Sequence, residues 1–368
     1  MQSFINTEGL LYTNYGWYKT QGVKAGAPTP TAPNGIATFS VKGRDLKAAP
    51  LMDLRAPLGD SNQMDKEGLY WYTASIPDFI APGYVETAME REAKEQQFEL
   101  FGNDADLVAA WVHTLQSQID SSDATMNFMT AQLMSKGNID YRNIARGIQI
   151  PLHKADIPEE NFTKAGTKVW TDPDCKILSQ MAAKEKVYRE KWGYEGALVW
   201  QVTRKMFYEV ILPNGESKEL VDSYKKNPLA YISSTTTAPT TRDLFLAAFR
   251  DYPGVSPIEI VEEKERNLTN TGDTFVQGWA DKIAVLRPAG YACEFEYTNN
   301  LDKQMFDKCS SVITKIFAQT NDGLCTVVNT TTNNGLYKEW HTDVMMSACP
   351  ALKTFRNHVI VDTSTADS

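Results

Sequence analysis

Nothing in this 368-residue chain is a long apolar run. No stretch approaches the ~18 uninterrupted apolar residues of a membrane-crossing helix. The start, "MQSFINTEGL", has neither a basic nor an apolar region, so no secretory signal is expected and the chain is expected to stay in the cytoplasm where it is made. Cysteines number five (Cys175, Cys293, Cys309, Cys325 and Cys349), and none forms a C-x-x-C pair. In a reducing compartment they are expected to be free and buried rather than bridged. The four histidines, His113, His153, His341 and His358, show no H-x-x-x-H or H-E-x-x-H spacing, which argues against a zinc site. The sequence also lacks a G-x-S-x-G elbow, a phosphate-binding G-x-x-x-x-G-K-[ST] loop and a G-x-G-x-x-G turn. Cations are few: the formal net charge is -9, the wrong sign for a dedicated nucleic-acid binder.

Candidates for catalysis are correspondingly thin. Cys349 and His341 are eight apart, but a thiol–imidazole pair needs closeness in space. Glu159-Glu160, Glu262-Glu263 and Asp251 could supply the acid and base of a glycoside hydrolase. The run Glu262 to Arg266 mixes signs, however, and reads more simply as a solvated face. Three N-x-[ST] matches, at Asn161, Asn267 and Asn329, carry little meaning without a secretory signal. Neither a cofactor nor a metal is implied.

What is present concerns shape. At 42% hydrophobic the chain can bury a substantial core. Residues 1–40 mix Gly, Pro and Thr and predict an irregular arm with little to pack on. From 50 to 85, Pro50, Pro57, Pro77 and Pro82 with Gly59, Gly68 and Gly83 leave no room for an ordinary helix. "LYWYTASI", from Leu69 to Ile76, has strand propensity, and the polar run Asp60 to Glu67 suggests the tip of a long loop. Loops of this length are usually functional, and the aromatics Tyr70, Trp71 and Tyr72 need a surface to cover them.

A charged helix is predicted over Tyr84–Gly102, with Glu90 and Lys94 at i, i+4. A longer one follows, from Asp104 to about Ser135. Its stripe is Val108, Trp111, Leu115, Ile119, the small Ser122, then Met126, Met129 and Leu133, at the helical period. At about 1.5 Å per residue it would be roughly 48 Å long. Lys136-Gly137-Asn138 ends it, with a cation at the negative end of the dipole and a glycine for the left-handed stop. Coiled coil, repeat helix and single strut all fit; the interruption at Ser122 favours the strut.

"IDYRNIARGIQIPL" predicts a strand pair. A helix is expected from Asp172-Pro173 to about Trp192, with Ile177, Met181, Tyr188 and Trp192 on one side. "ALVWQVTRKMFYEVILPNG" predicts strand ending in a turn, "TTRDLFLAAFRDY" a Thr-capped helix, and "IEIVEE" and "DKIAVLRPAGYACEFEY" further strands. No repeat is found. The fold class is α+β with one dominant helix.

Four segments, "LRAPLGDSNQMDKEGLYWYTASIPDFIAPGYVETAMERE", "DATMNFMTAQLMSKGNI", "GWADKIAVLRPAGYACEFEY" and "WHTDVMMSACPALKTFRNHVIVD", together resemble the major capsid proteins of tailed double-stranded DNA bacteriophages, in the branch similar to the phage lambda major head protein. Their joint order, over nearly the whole chain, carries the resemblance. It implies the capsid fold named for phage HK97: an N-terminal arm at 1–40, an extended loop at 41–85, a peripheral domain at 86–173 with a spine helix at 104–136, an axial domain at 174–330, and C-terminal strands at 331–368 returning to the body. Subunit contacts would then fall on Leu58, Met64, Lys66, Leu69, Tyr70, Trp71 and Tyr72 of the loop. Lys66 is where relatives that weld their subunits would place the reacting lysine, although no partner asparagine can be named. The implied protein is structural, not an enzyme. It self-assembles into hexamers and pentamers of an icosahedral head and encloses double-stranded DNA without reading its sequence. It is built in the host cytoplasm and resides in the virion. A separate scaffold, a portal and optionally a decoration protein are the implied partners, with no membrane. The alternatives are an encapsulin-like compartment, a monomeric carboxylate-dependent glycoside hydrolase, and an exposed fibre or adhesin module. The long helix and absent repeats count against the last.

Overall fold

The computed structural model describes residues 38–43, 70–80, 84–86, 104–140, 153–226, 241–250, 252–261, 265–269, 272–297, 315–320, 325–334 and 337–367, with short pieces at 23–24, 89–90, 92–93, 96, 142–143 and 148–149. Strands of the first half are β1 Val23–Lys24, β2 Thr38–Gly43, β3 Tyr70–Ser75, β4 Asp78–Ile80, β5 Tyr84–Glu86, β6 Asn138–Ile139, β7 Arg142–Asn143, β8 Ile148–Gln149, β9 His153–Lys154 and β10 Phe162–Ala165. Those of the second half are β11 Leu198–Thr203, β12 Ile258–Val261, β13 Glu265–Thr269, β14 Gly272–Val276, β15 Ile283–Pro288, β16 Cys293–Tyr297, β17 Lys315–Thr320, β18 Cys325–Asn334, β19 Tyr337–Leu352 and β20 Val359–Ala366. The helices are α1 Asp104–Lys136, α2 Ile177–Trp192, α3 Gly215–Lys226 and α4 Arg242–Phe249. The mixture is α+β.

Two sheets organise the described residues. The first has the order β10-β20-β15-β11-β12 and mixes parallel and antiparallel pairs. Its strand β11, "LVWQVT", is buried along its whole length, so both faces of the sheet are covered. Strand alternation then divides its side chains between two cores. Ala284, Leu286 and Val361 pack with Trp200 and Val202 under α2, α3 and α4. Val285 and Ile360, one position along, point into a second core with α1.

The second sheet has the order β1-β16-β19-β18-β17, with β4 and β5 also pairing along the 16-residue β19. Here α1 packs against β19. Met126, Met129, Leu133 and Met134 are fully buried with Val344, Met346 and Ala348. The predicted stop is in place: Gly137 has φ 72, and its N–H reaches the Leu133 carbonyl at 2.9 Å.

The helical layer shows how local sequence sets the ends of elements. Ile177, Met181, Tyr188 and Trp192 form the buried side of α2, and Gly193 at φ 55 ends it. The sequence placed its start at Asp172-Pro173, but those residues form a turn and the helix begins at Ile177. Its first free N–H groups are capped from elsewhere: the Glu216 carboxylate accepts from Leu178 N at 2.7 Å and Ser179 N at 3.1 Å. Thr241 caps α4, accepting from Leu244 N.

Three expectations change. Residues 204–211, expected as strand, are helical, and Phe207–Ile211 is a π turn. Thr203 Oγ1 accepts from Met206 N at 3.1 Å and starts the helix, which buries Met206, Phe207 and Ile211 beneath the sheet. Tertiary burial outweighs the strand propensity of "MFYEVI". The helix α3 was not anticipated at all. The predicted 84–102 helix begins instead as strand β5, paired to β19; helical residues follow at 89–90, 92–93 and 96.

Candidate functional site

Strands β2 and β3 pair antiparallel, with Val41 opposite Tyr72 and Lys42 opposite Trp71. Period-two alternation gives this hairpin two unlike faces. Phe39, Val41, Tyr72 and Ala74 are buried in the α1 core. Ser40, Lys42, Trp71 and Thr73 face outward, and Trp71 is 63% exposed.

The inward face is fastened by Tyr72. Its hydroxyl accepts from the Leu352 N–H at 2.8 Å, 280 residues away in sequence. Its ring stands edge-on to Phe355 with centroids 5.2 Å apart, and lies 5.8 Å from His153. Burial pushes the phenol well above its usual range, so it stays neutral. Beside it, the Arg356 guanidinium sits 3.5 Å from the Tyr70 ring centroid. Tyr72→Phe leaves a buried N–H without its acceptor and is expected to cost about 1–2 kcal/mol. Urea denaturation measures it, and an unchanged midpoint would show that the hydroxyl does not hold the hairpin.

The same region contains two buried histidines. His153 Nδ1 lies 3.1 Å from Cys349 Sγ, and His358 Nε2 donates to the Met134 carbonyl at 2.7 Å in the last turn of α1. Cys349 therefore meets His153, a partner 196 residues away that the sequence did not suggest. Burial raises the Cys349 thiol far above its usual value and lowers His153 to about 4. The neutral thiol–imidazole pair is the favoured form, so this is not an activated thiolate. Burial likewise brings His358 to about 4, against a smaller upward pull from its bond to Met134.

Both folded values lie below the ordinary imidazole value of 6.5. The unfolded chain thus binds more protons between the two values, and stability is complete above about pH 6.5 and lost as pH falls toward 4. His358→Gln is expected to flatten that acid limb by on the order of 3 kcal/mol at most. Thermal melts from pH 7 to 4 measure it. A variant losing as much stability on acidification as the parent would remove His358 from the account.

The remaining predicted positions divide by what is described. Leu58, Met64, Lys66 and Leu69 lie outside the described residues, as do Glu262, Glu263 and Asp251. Val108, Trp111, Leu115 and Ile119 are on α1, but their side chains lie outside the described set. Met126, Met129 and Leu133 are buried. Of the carboxylate candidates, Glu159 and Glu160 are exposed, and a hydrogen bond from Lys191 holds the Glu160 carboxyl below its usual value. A general acid needs the opposite shift. Cys175, Cys293 and Cys349 are free and buried. Among the described residues no group of three or more His, Cys, Asp or Glu side chains could hold a metal ion, and no helix is long and apolar enough to cross a membrane.

The chain matches no protein-family model and no curated protein. Solved structures similar to it include the capsid of cyanophage A-1(L), at 10% identity and a TM-score of 0.46, covering 99% of this chain and 96% of that one. The capsid of the myovirus phage XM1 is similar at 10% identity and a TM-score of 0.39, covering 98% and 91%. The procapsid of satellite phage P4, which includes a size-determination protein, gives 9% identity and a TM-score of 0.37, covering 89% and 91%.

Proposed function

We propose that this chain is a structural shell protein, the major capsid protein of a tailed double-stranded DNA phage, which assembles into hexamers and pentamers of a closed head. The observation that carries this is the two-faced hairpin. One side of β2–β3 is buried in the α1 core, while the other offers Trp71 to whatever lies outside. A large exposed aromatic on a rigidly anchored hairpin suits a contact made between copies. The sequence resemblance reads the same way, and no constellation of catalytic groups competes with it among the described residues.

On this reading α1 is the spine. It lies with the β19 sheet in the peripheral region, and the sheet bearing α2 to α4 belongs to the axial region. The chain enters that second region twice, through 162–288 and again through β20. Lys66, Leu58, Met64 and Leu69 would contribute to the contact from the segment that joins β2 to β3. Assembly would take place in the host cytoplasm with a separate scaffold, and a portal would complete the head. Each contact can be weak because a closed shell repeats it many times.

Trp71→Ser tests the hairpin. An exposed side chain contributes little to the fold, so stability should stay within about 0.5 kcal/mol of the parent. The yield of assembled particles should fall at least tenfold. Assembly at the parental yield would show that this face is not a subunit contact.

A further inference from the structure

Among the described strands the β2–β3 hairpin pairs only with itself, so no ladder hydrogen bond ties it to either sheet. Side chains make its hold on the body. Phe39, Val41, Tyr72 and Ala74 enter the core, the Tyr72 hydroxyl meets the Leu352 main chain, and Arg356 covers the Tyr70 ring. The elements beneath are fixed more firmly. β19 is paired on both sides, by β16 and β18, and the segment after β9 is bound to the α1 stop by Ala155 N, which donates to the Gly137 carbonyl at 2.8 Å. A change that opposes the side-chain contacts therefore releases the hairpin first, because no ladder has to break.

His153 sits under this hairpin, where β9 packs against β3. Its ring is buried against Phe39 and Tyr72, with both centroids at 5.8 Å. Nδ1 faces Cys349 Sγ, and Nε2 has no hydrogen-bond partner among the described residues. One hydrogen serves the neutral thiol–imidazole contact, whereas an imidazolium carries one on each nitrogen. Its Nε2–H then finds no acceptor and its Nδ1–H only a weak one, in a site closed to water. The titratable groups facing the ring are the Tyr72 phenol from β3 and the Cys349 thiol from β19, both held neutral by burial. Phe39 from β2 and Ile139, its partner on β6, carry no charge. Farther out, Cys293 and Glu296 of β16 act on Tyr72, Lys353 binds Glu296, and Lys154 beside His153 is exposed.

We propose that His153 is an acid-operated latch on the β2–β3 hairpin: a proton taken up by its ring releases the hairpin from the body while both sheets stay folded. The proton comes from solvent and adds to a nitrogen lone pair, and no other covalent bond changes. In the closed form burial holds the imidazole at about 4; once the hairpin lifts, the ring meets water and returns toward 6.5. The released form thus binds more protons between these two values. The hairpin is closed at pH 7, and its opening grows as pH falls below about 6.5. The same linkage makes opening about twentyfold more frequent at pH 5 than at pH 7. This local event is distinct from the loss of global stability at low pH, which both buried histidines share. The latch is a property of the single chain. On the shell reading its opening also unseats Trp71, the subunit contact.

Hydrogen–deuterium exchange of the full-length, unassembled chain at pH 7, 6 and 5, corrected for the intrinsic exchange rate, tests this segment by segment. In the parent, amides of 38–43 and 70–75 are expected to lose protection about twentyfold between pH 7 and pH 5, while those of 198–203 and 283–288 change by about threefold or less. His153→Phe, and His153→Gln as a second neutral replacement, should abolish the hairpin's pH response, whereas His358→Gln should leave it as in the parent. Equal hairpin protection at both pH values in the parent would overturn the latch. So would a parallel loss in the two sheets, which is global unfolding, or a response that persists in both His153 variants, which would pass the switch to another group. Should both variants be unfolded at pH 7, the parent's comparison of hairpin with sheets decides by itself. Because the readout is taken on the unassembled chain, a failure of the shell reading does not alter it.

Discussion

Arg287→Met should be among the most damaging single substitutions in the five-stranded sheet, costing about 3–5 kcal/mol. Arg287 is 2% exposed and Glu259 is 4% exposed. The guanidinium donates to Glu259 at 3.2 Å, to Gln201 at 3.0 Å, and to the carbonyls of Pro288 and Gly290 at 2.9 and 2.7 Å. Gln201 also donates to Glu259 at 2.7 Å. The network spans β12, β11 and β15, and through Gly290 it fixes the turn by which the chain leaves one sheet for the other. Removing the cation leaves a buried carboxylate without its counter-charge, which is far worse than never having had the pair. The second variant, Arg287→Met/Glu259→Met, should therefore recover most of the loss. Urea denaturation of both decides it. A single variant costing under 1 kcal/mol, or a double variant no better than the single, would contradict this view of the network.

Gly278→Ala is expected to cost about 2–3 kcal/mol, a large effect for one methyl group. A Cβ at Gly278 would stand 2.6 Å from the Phe128 carbonyl oxygen and 2.9 Å from Ala131 Cβ, both on α1. Main-chain atoms in the body of a helix cannot yield as a side chain can. The close approach is held from both sides: Ala280 N donates to Ser135 Oγ at 2.9 Å, and Trp279, 2% exposed, donates to the Ile283 carbonyl at 3.0 Å. "GWA" is thus the clasp between α1 and β15. Gly215→Ala is the matched control, since its Cβ would meet only the Pro173 carbonyl at 3.9 Å. That change should be neutral or stabilise by up to about 1 kcal/mol, because the unfolded chain loses freedom. Thermal melts that ranked the two glycines in the opposite order would refute the clasp.

These two sites mark where reading the sequence succeeds and where it stops. The α1 stop was legible because Lys136, Gly137 and Asn138 are local signals. The buried side of α2 was legible because Ile177, Met181, Tyr188 and Trp192 keep the helical period. Helix α3 escaped although Leu220, Val221 and Tyr224 gather on one side at helical spacing, because charged and polar residues fill the rest of its length. Residues 204–211 misled because aromatic and β-branched residues packed against a sheet look like strand when their neighbours are unknown. The contacts that define the site are longer-ranged still. Tyr72 with Leu352, His153 with Cys349, and Arg287 with Glu259 and Gln201 depend on topology, which no spacing along the chain encodes. Trp71 and Tyr72 were both picked out as loop aromatics, but only strand alternation in the folded hairpin separates the anchor from the exposed face.

The central claim is that this chain builds a shell, and negative-stain electron microscopy of the full-length protein, alone and co-expressed with its neighbouring genes, tests it most directly. The account predicts closed icosahedral particles, or the hexamer and pentamer rings from which they form. A uniform 41.2 kDa monomer in every condition, including co-expression with a scaffold, would contradict it.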